Sequence, residues 1–199
     1  MASSIYISIA FVLGVCLGRF SPIPAELLSQ TLTTYVLYAL IFTVGITVGA
    51  NMEVWRAVKA IHVRIVLIPL SIIAGTLAGC AAVSPLLRTI SLSEALAVGA
   101  GFGYYSLSSV LIAQIDGEAL GTIALVSNLM REVITLLLAP LLVRLFGKLA
   151  PIAAGGATAM DTTLPVISRF SGKEYTVYAI FSGVALTFLV PMLVQLFLT

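Results

Sequence analysis

Long apolar runs separated by short charged segments make up most of this chain. A helix needs about 20 apolar residues to cross the hydrocarbon core of a bilayer, with a range of about 17 to 25. Runs of roughly this length recur, and each is predicted to form a membrane-embedded helix. They cover residues 4–18, 31–50, 65–83, 92–113, 119–143, 151–168 and 175–198. The segments between them are short, so the pattern predicts an all-α integral membrane protein with about seven transmembrane segments and a single transport domain over residues 1–199.

The composition points to the same class. Of the 199 residues, 60% are hydrophobic and 9% are charged, against roughly 45 to 50% and about 25% in soluble domains. The formal net charge is +2 and the basic residues are scattered singly, which excludes a nucleic-acid partner. The sequence has neither a phosphate-binding glycine loop nor a readable pair of nucleophile and base. We therefore expect no enzyme activity, no cofactor and no metal site.

The basic residues predict an orientation in the bilayer. Segment 52–64 holds Arg56, Lys59 and Arg64, which are three of the ten Lys and Arg residues, and such segments favour the cytoplasmic side. The N-terminus is then expected in the cytoplasm, and seven crossings place the C-terminus outside. A re-entrant hairpin in the short, interrupted stretch 151–168 would reverse the orientation of everything after it.

Glycine pairs four residues apart occur in several spans, for example Gly75 and Gly79. Small residues at this spacing let helix backbones approach closely in lipid. We expect close helix packing at these pairs.

Two other stretches do not suit an unbroken lipid-facing helix. Residues 101–109 combine glycines, tyrosines and serines, and residues 155–165 combine glycines, an acid and a proline. Transporters place such breaks where protein or a wet cavity covers them and use them to bind solutes. We expect broken or re-entrant helices here, with backbone amides that hold an anion as helix N-termini do. The glycines concerned are Gly101, Gly103, Gly155 and Gly156.

Charged side chains inside the predicted spans are the main candidates for a binding site. Arg131 and Glu132 lie halfway along the 119–143 run, and charges at that depth normally face a bundle interior or a cavity. Helical spacing gathers Asn128 on the same side, and Asp161 is the expected partner of Arg131. An alternative is that Arg131 and Asp161 form a buried ion pair that only fixes helix packing. The hydroxyl groups expected to help bind a solute are those of Ser106, Ser108 and Thr162, and the alternative for each is a bond to the carbonyl one turn back.

The charge balance of this cluster favours a cationic solute. Arg131, Glu132 and Asp161 together leave one buried negative charge, which is costly unless a proton or a bound cation neutralises it. We expect Glu132 to receive an ammonium group, and Asp161 to receive a second one or to orient Arg131. Burial favours the neutral form of a carboxyl group. Glu132 is therefore also the expected proton-coupling residue, protonated once the cation has left.

Three motifs resemble those of the LysO family of bacterial lysine exporters. They are Gly-Phe-Gly-Tyr-Tyr-Ser-Leu-Ser at 101–108, Asn-Leu-Met-Arg-Glu at 128–132 and Gly-Ala-Thr-Ala-Met-Asp-Thr-Thr-Leu-Pro at 156–165. The resemblance covers nearly the whole chain. It implies export of L-lysine and of toxic lysine analogues across the bacterial cytoplasmic (inner) membrane, and it implies that Glu132 matches an intramembrane acid required for transport.

The resemblance also raises the question of partners. Many family members are about half as long again, with three further helices and a second required acid ahead of the point where this chain begins. Split versions occur in the family, so we expect a small membrane partner subunit that supplies those helices. Ten crossings in total would permit two inverted five-helix halves, as in other transporter folds. A homo-oligomer is also compatible with the glycine pairs.

Two other functions fit the same residues. The first is an antiporter of protons and another small cation or basic solute, which would use the same broken helices. The second is a scaffold subunit that transports nothing, in which the buried charges serve packing. Replacing Glu132 would reduce transport in the first case and assembly in the second.

Overall fold

A computed structural model of the chain describes residues 65–199 together with residues 13, 16, 17, 35, 38, 39, 42, 43, 46, 50 and 52. The chain divides into two compact units, Met1–Phe42 and Thr43–Thr199. The described residues of the first unit are all helical. The spans predicted at 4–18 and 31–50 contain only isolated described positions, and the basic segment 52–64 lies outside the described residues apart from Met52. The helices below belong to the second unit.

The described part of the second unit is helical, in agreement with the predicted all-α class. No strand occurs between residues 65 and 199. Short 3-10 turns link several helices, at Ser84–Leu86, Gly156–Met160 and Lys173–Tyr175. The α-helices are α1 (Leu67–Val83), α2 (Leu92–Gly99), α3 (Tyr105–Asp116), α4 (Glu118–Phe146), α5 (Ala150–Gly155), α6 (Leu164–Phe170) and α7 (Thr176–Leu198).

Two helices among the described residues are long and apolar enough to cross a bilayer. They are Leu67–Leu86, with a mean hydropathy of 1.9, and Lys173–Leu198, with a mean hydropathy of 2.2. Helix α4 is longer, at 29 residues, but carries Arg131 and Glu132 at its centre. The predicted spans 92–113 and 151–168 are each interrupted, so the described residues do not show seven continuous crossings.

Helix α2 begins at a side-chain cap that fixes its start. Ser91 accepts a hydrogen bond from the backbone N–H of Glu94, and the Glu94 carboxylate accepts one from the backbone N–H of Ser91. A reciprocal cap of this kind satisfies two N–H groups that the first helical turn leaves free, and is worth about 0.5 to 2 kcal/mol.

Helices α3 and α4 form an antiparallel pair. Gly117 lies between them with φ +96°, a conformation that glycine adopts without the steric penalty of a Cβ atom. Further along α4, a Cβ atom added at Gly121 would lie 2.6 Å from the Cβ atom of Ala113 on α3. The two backbones therefore approach closely where the pair begins.

Helix α7 covers the interrupted segment that follows α5. Its residue Gly183 lies against Ala157 and Met160, and a Cβ atom there would come within 2.8 Å of the Ala157 carbonyl oxygen. Nearby, Ala179 of α7 forms a buried apolar cluster with residues from the same interrupted region. This packing holds the 3-10 turn Gly156–Met160 in the interior of the unit.

Candidate functional site

Two helix breaks meet within the described part of the second unit. The first lies between the end of α2 at Gly99 and the start of α3 at Tyr105, so it overlaps the first part of the stretch 101–109 for which a break was predicted, while residues 105–109 are helical. The second follows α5 and includes the 3-10 turn Gly156–Met160. The carbonyl oxygen of Phe102 in the first break accepts a hydrogen bond of 2.8 Å from the backbone N–H of Ala157 in the second. We call this pair of touching breaks the crossing.

The backbone at the crossing adopts conformations that only certain residues allow. Gly103 and Gly156 have φ of +93° and +63°, and Phe102 has φ +45° although it carries a side chain. Phe102 is fully buried. A side chain at Gly103 would place its Cβ atom 2.8 Å from the carbonyl oxygen of Gly155. Residues in sparsely populated conformations cost about 1 to 3 kcal/mol each and cluster at functional sites.

Asn128 of α4 holds the first break through its amide group. Its Oδ1 atom accepts a hydrogen bond of 2.7 Å from the backbone N–H of Gly103. Its Nδ2 atom donates to the carbonyl oxygens of Val98 and Ala124, each at 3.0 Å. Because Asn128 is buried and both ends of its amide are already bonded, it positions the break.

Arg131, one turn further along α4, binds the second break. Its Nε atom donates to the carbonyl oxygen of Ala154 and its Nη2 atom to that of Ala153, each at 2.8 Å. A third bond runs from Nη1 to Thr76 Oγ1 on α1, at 3.3 Å. The guanidinium therefore caps carbonyl groups at the C-terminal end of α5, where a positive charge is favoured.

The expected ion pair between Arg131 and Asp161 is absent from the described residues. Their only salt bridge joins Lys148 to Glu174 at the surface, at 3.5 Å. Asp161 is exposed, and its Oδ1 atom accepts a 2.6 Å hydrogen bond from the backbone N–H of Thr162. The prediction that three charges share one buried cluster is therefore wrong, because the turn after Met160 carries Asp161 outward.

Glu132 is buried with an exposed fraction of 8%. Its Oε2 atom is fully enclosed and has no hydrogen-bond partner among the described residues. Asn128 and Thr135 lie one turn away on the same buried stripe of α4, but the Thr135 hydroxyl donates to the Arg131 carbonyl oxygen instead. Of the two acids, Glu132 is therefore buried and Asp161 lies at the surface.

The hydroxyl groups predicted to bind a solute divide into two sets. Ser108 is fully buried and donates to the Tyr104 carbonyl oxygen at 2.9 Å, which is the alternative considered for such residues. Ser106 and Thr162 are exposed. They do not line a buried pocket with Glu132.

Three of the four glycine N–H groups proposed for anion binding are already used within the protein. Those of Gly101 and Gly103 donate to the carbonyl oxygen of Val98 and to Asn128 Oδ1. That of Gly156 donates to the carbonyl oxygen of Ile152. In this conformation they hold the breaks together and offer no free donor to a carboxylate.

A cavity of about 460 Å³ ends at the same part of α4. Asn128 and Arg131 line its inner end together with Thr76 and Cys80 of α1. The sequence had not indicated these two α1 residues. Each of them directly follows one glycine of the pair Gly75 and Gly79. Residues four apart lie on the same side of a helix, so the sequence did place Thr76 and Cys80 on one face of α1.

The glycine pair on α1 faces open space. A Cβ atom added at Gly75 or Gly79 would meet nothing within 4 Å, and both residues line the cavity. The expectation that this pair packs tightly against a neighbouring helix is not met by the helices described here.

Comparison with known proteins relates the chain to one family. The family described as Lysine exporter LysO matches residues 8–198. Lysine exporter LysO of Escherichia coli (strain K12) is 34% identical over 167 residues, which are 82% of this chain and 54% of the relative. The putative lysine exporter of Haemophilus influenzae (strain ATCC 51907 / DSM 11121 / KW20 / Rd) is 35% identical over 167 residues, which are 82% of each chain. The chain thus matches about half the length of the Escherichia coli relative, and no solved structure matches it.

Proposed function

Because the chain belongs to the lysine exporter LysO family, we propose that it exports L-lysine and lysine analogues from the cytoplasm across the inner membrane. Lysine moves outward in exchange for protons that move inward. Both relatives carry lysine export in their names. The crossing of two helix breaks supports a transporter, since interrupted helices at membrane depth are a common way to build solute sites.

The single observation that carries the proposal is the environment of Glu132. An ionised carboxylate that is buried without a partner is costly, and such a group either takes up a proton or binds a cation. The Oε2 atom of Glu132 has no protein partner among the described residues. The guanidinium of Arg131, the adjacent residue in the chain, is bonded to the carbonyl oxygens of Ala153 and Ala154. A proton and a lysine ammonium group therefore compete for Glu132.

The second acid, Asp161, supports a solute with two ammonium groups. Lysine carries two ammonium groups, and charge-assisted hydrogen bonds to carboxylates are the strong way to bind them. Glu132 is buried and Asp161 is exposed. We assign one ammonium group of lysine to Glu132 and place Asp161 at the rim, where it attracts the cation before it enters.

Proton exchange follows from mutual exclusion at Glu132. In this proposal a proton takes the place of lysine on the Glu132 carboxylate when lysine leaves, because Oε2 has no hydrogen-bond partner among the described residues. Lysine binds Glu132 again only after that proton has been released on the cytoplasmic side. We assign the conformational change of transport to the crossing, because its two breaks interrupt the α-helices and are joined by a backbone contact.

Efflux from vesicles tests the proposal. Inner-membrane vesicles that contain the chain together with the expected small partner subunit are loaded with labelled lysine, and efflux is measured for the original protein, Glu132→Gln and Glu118→Gln. Glu118 is an exposed acid in the first turn of the same helix, so it serves as the matched control. Glu132→Gln should reduce efflux at least about a hundredfold at unchanged abundance, and Glu118→Gln should retain it. Normal efflux by Glu132→Gln would refute the assignment.

The same vesicles separate the other candidate functions. When the vesicles are loaded with labelled sodium instead, efflux that unlabelled sodium slows and lysine does not slow would indicate an antiporter of small cations. A scaffold without transport would show no lysine efflux in the original protein, and Glu132→Gln would then lower the abundance of the assembled protein.

A further inference from the structure

The cavity beside α4 is separate from the site of Glu132. Glu132 is not among the described residues that line it, whereas its neighbour Arg131 is. Adjacent residues of a helix point about 100° apart. The two side chains therefore serve different faces of α4, and the proposed function uses only one of these faces.

The cavity extends from a loop to the middle of α4. Its outer wall includes Leu87 and Ile90 in the segment between α1 and α2. Its inner end includes Arg131, close to the midpoint of the 29-residue helix α4. The cavity thus leads from one end of the helices towards the crossing, and the volume of about 460 Å³ lies within the range of small-molecule sites, about 300 to 1,000 Å³.

The two ends of the cavity differ in chemistry. The outer part is apolar, with Val83, Leu87 and Ile90, whereas Thr76 and Arg131 stand at the inner end. None of the described lining residues is acidic. The single charge that faces the cavity in this part of the chain is therefore positive.

Arg131 retains hydrogen-bonding capacity after its internal contacts. A guanidinium has five N–H groups, and three of them are used, by the carbonyl oxygens of Ala153 and Ala154 and by Thr76. One N–H group remains on each terminal nitrogen. Two donors on neighbouring nitrogens are what a carboxylate needs for a bidentate contact.

We propose that this cavity is a vestibule that binds the carboxylate end of an aliphatic amino acid. The carboxylate is held by the two remaining N–H groups of Arg131, and the hydrocarbon part of the side chain lies along the apolar wall. The assignment of lysine as the solute rests on the proposed function. The vestibule itself requires only a solute with a carboxylate and an aliphatic chain.

Cys80 provides a natural reporter for the vestibule. It lines the cavity, and the other cysteine is Cys16. In a Cys16→Ser background, the membrane-impermeant anionic reagent sulfonatoethyl methanethiosulfonate should modify Cys80. It should react about tenfold faster, relative to a model thiol, than the cationic trimethylammonium analogue, because Arg131 focuses a positive potential into the cavity. Arg131→Gln should abolish that preference.

A pair of engineered cysteines controls for the reactivity of one particular thiol. With Cys80 replaced by serine, Ser127→Cys lies in the cavity wall, and Val126→Cys lies next to it on a face of α4 that is exposed away from the cavity. The anionic reagent should modify the first and not the second, because we expect the exposed face of α4 to lie in lipid, which a charged reagent does not enter. No modification of either Cys80 or the Ser127→Cys variant would show that water does not fill the cavity and would overturn the proposal.

Protection by small molecules tests what the vestibule binds. Lysine and 6-aminohexanoate both have a carboxylate and an aliphatic chain, and both should slow modification of Cys80 at least threefold. Cadaverine has two ammonium groups and no carboxylate, and it should not protect. Protection by cadaverine equal to that by lysine, or protection by none of the three, would contradict carboxylate binding at Arg131.

These experiments distinguish a failure of the vestibule from a failure of the proposed function. Protection by 6-aminohexanoate without any lysine efflux would retain the vestibule and reject lysine as the exported solute. Efflux that depends on Glu132 without protection at Cys80 would reject the vestibule alone. Gly79→Leu gives an independent check, because its side chain would enter open space in the cavity. It should slow modification of Cys80 about tenfold while Gly79→Ala changes it less than twofold, and equal rates in the two variants would count against the vestibule.

Discussion

The carbonyl oxygen of Phe102 and the backbone N–H of Ala157 are joined by a hydrogen bond of 2.8 Å. This bond links the two helix breaks directly. Helix α4 supports it from one side, with Asn128 bound to Gly103 in the first break and Arg131 bound to Ala154 beside the second. A movement of either break must therefore change the contacts of the other.

Gly156→Ala should destabilise the crossing. Gly156 has φ +63°, and an added Cβ atom would overlap the carbonyl oxygen of Phe102. Strain in this backbone region alone costs about 1 to 3 kcal/mol, and the overlap adds to it. Thermal unfolding of the purified protein in detergent should show that the free energy of unfolding falls by more than that range.

Gly147→Ala is the matched control for Gly156→Ala. Gly147 has φ +88°, but a Cβ atom there meets nothing within 4 Å. The Gly147→Ala variant should lose about 1 to 3 kcal/mol of its free energy of unfolding from strain alone. It should retain lysine efflux. If both alanine variants lose the same stability, the contact between Gly156 and Phe102 is unimportant.

Asn128→Ala should weaken the first break. It leaves the backbone N–H of Gly103 without its acceptor, and an unsatisfied buried donor costs about 1 to 3 kcal/mol. Thr122→Ala is the control on the same helix, since the Thr122 hydroxyl bonds only the exposed carbonyl one turn back. Unfolding in detergent measures both variants, and the control should change the free energy of unfolding by less than about 0.5 kcal/mol. Equal stability of the two variants would argue against a positioning role for Asn128.

Arg131→Lys should fail to replace arginine although it keeps the charge. A lysine ammonium group cannot present the planar fork that bonds Ala153 and Ala154, and arginine and lysine differ most at such sites. We expect a loss of about 1.5 to 3 kcal/mol in unfolding measurements, the range for hydrogen bonds to charged groups. Arg144→Lys, at an exposed position near the end of α4, should have little effect. Full stability of Arg131→Lys would mean that charge alone matters there.

The ion pair between Lys148 and Glu174 should contribute little. Both side chains are more than half exposed, at 54% and 64%, and the separation is 3.5 Å. Exposed pairs of this kind contribute about 0 to 1 kcal/mol and are screened by salt. Glu174→Gln should therefore leave the unfolding temperature almost unchanged at high and low ionic strength. A large, salt-sensitive decrease would show that this contact holds the loops before α5 and α7 together.

Proton exchange at Glu132 predicts how efflux responds to a pH gradient. An inward proton gradient should accelerate lysine efflux from vesicles with the original protein, and a protonophore should remove the acceleration. Any residual efflux by Glu132→Gln should be independent of the gradient, because that side chain cannot take a proton, whereas Glu118→Gln should respond normally. A gradient response that survives in Glu132→Gln would place the coupling at another residue.

Several features of the molecule were predictable from local sequence. The starts and ends of α1, α4 and α7 follow the apolar runs, because a helix in lipid needs a continuous apolar length. Glycine and polar residues at 101–109 and 155–165 predicted the two breaks, since such residues lower helical preference and leave backbone groups to be satisfied elsewhere. The burial of Glu132 followed from its position halfway along an apolar run.

Only the tertiary structure decided which residues touch. In the sequence analysis, Asp161 joins Arg131 and Glu132 as an expected charge partner, whereas the structure bonds Arg131 to the end of α5 and leaves Asp161 exposed. The glycine pair of α1 likewise lines a cavity, and no helix among the described residues packs against it. Sequence determines which residues share a face of one helix, because the helical period is local. The contacts between breaks depend on how separate helices cross, and that relation arises only when the distant segments pack together.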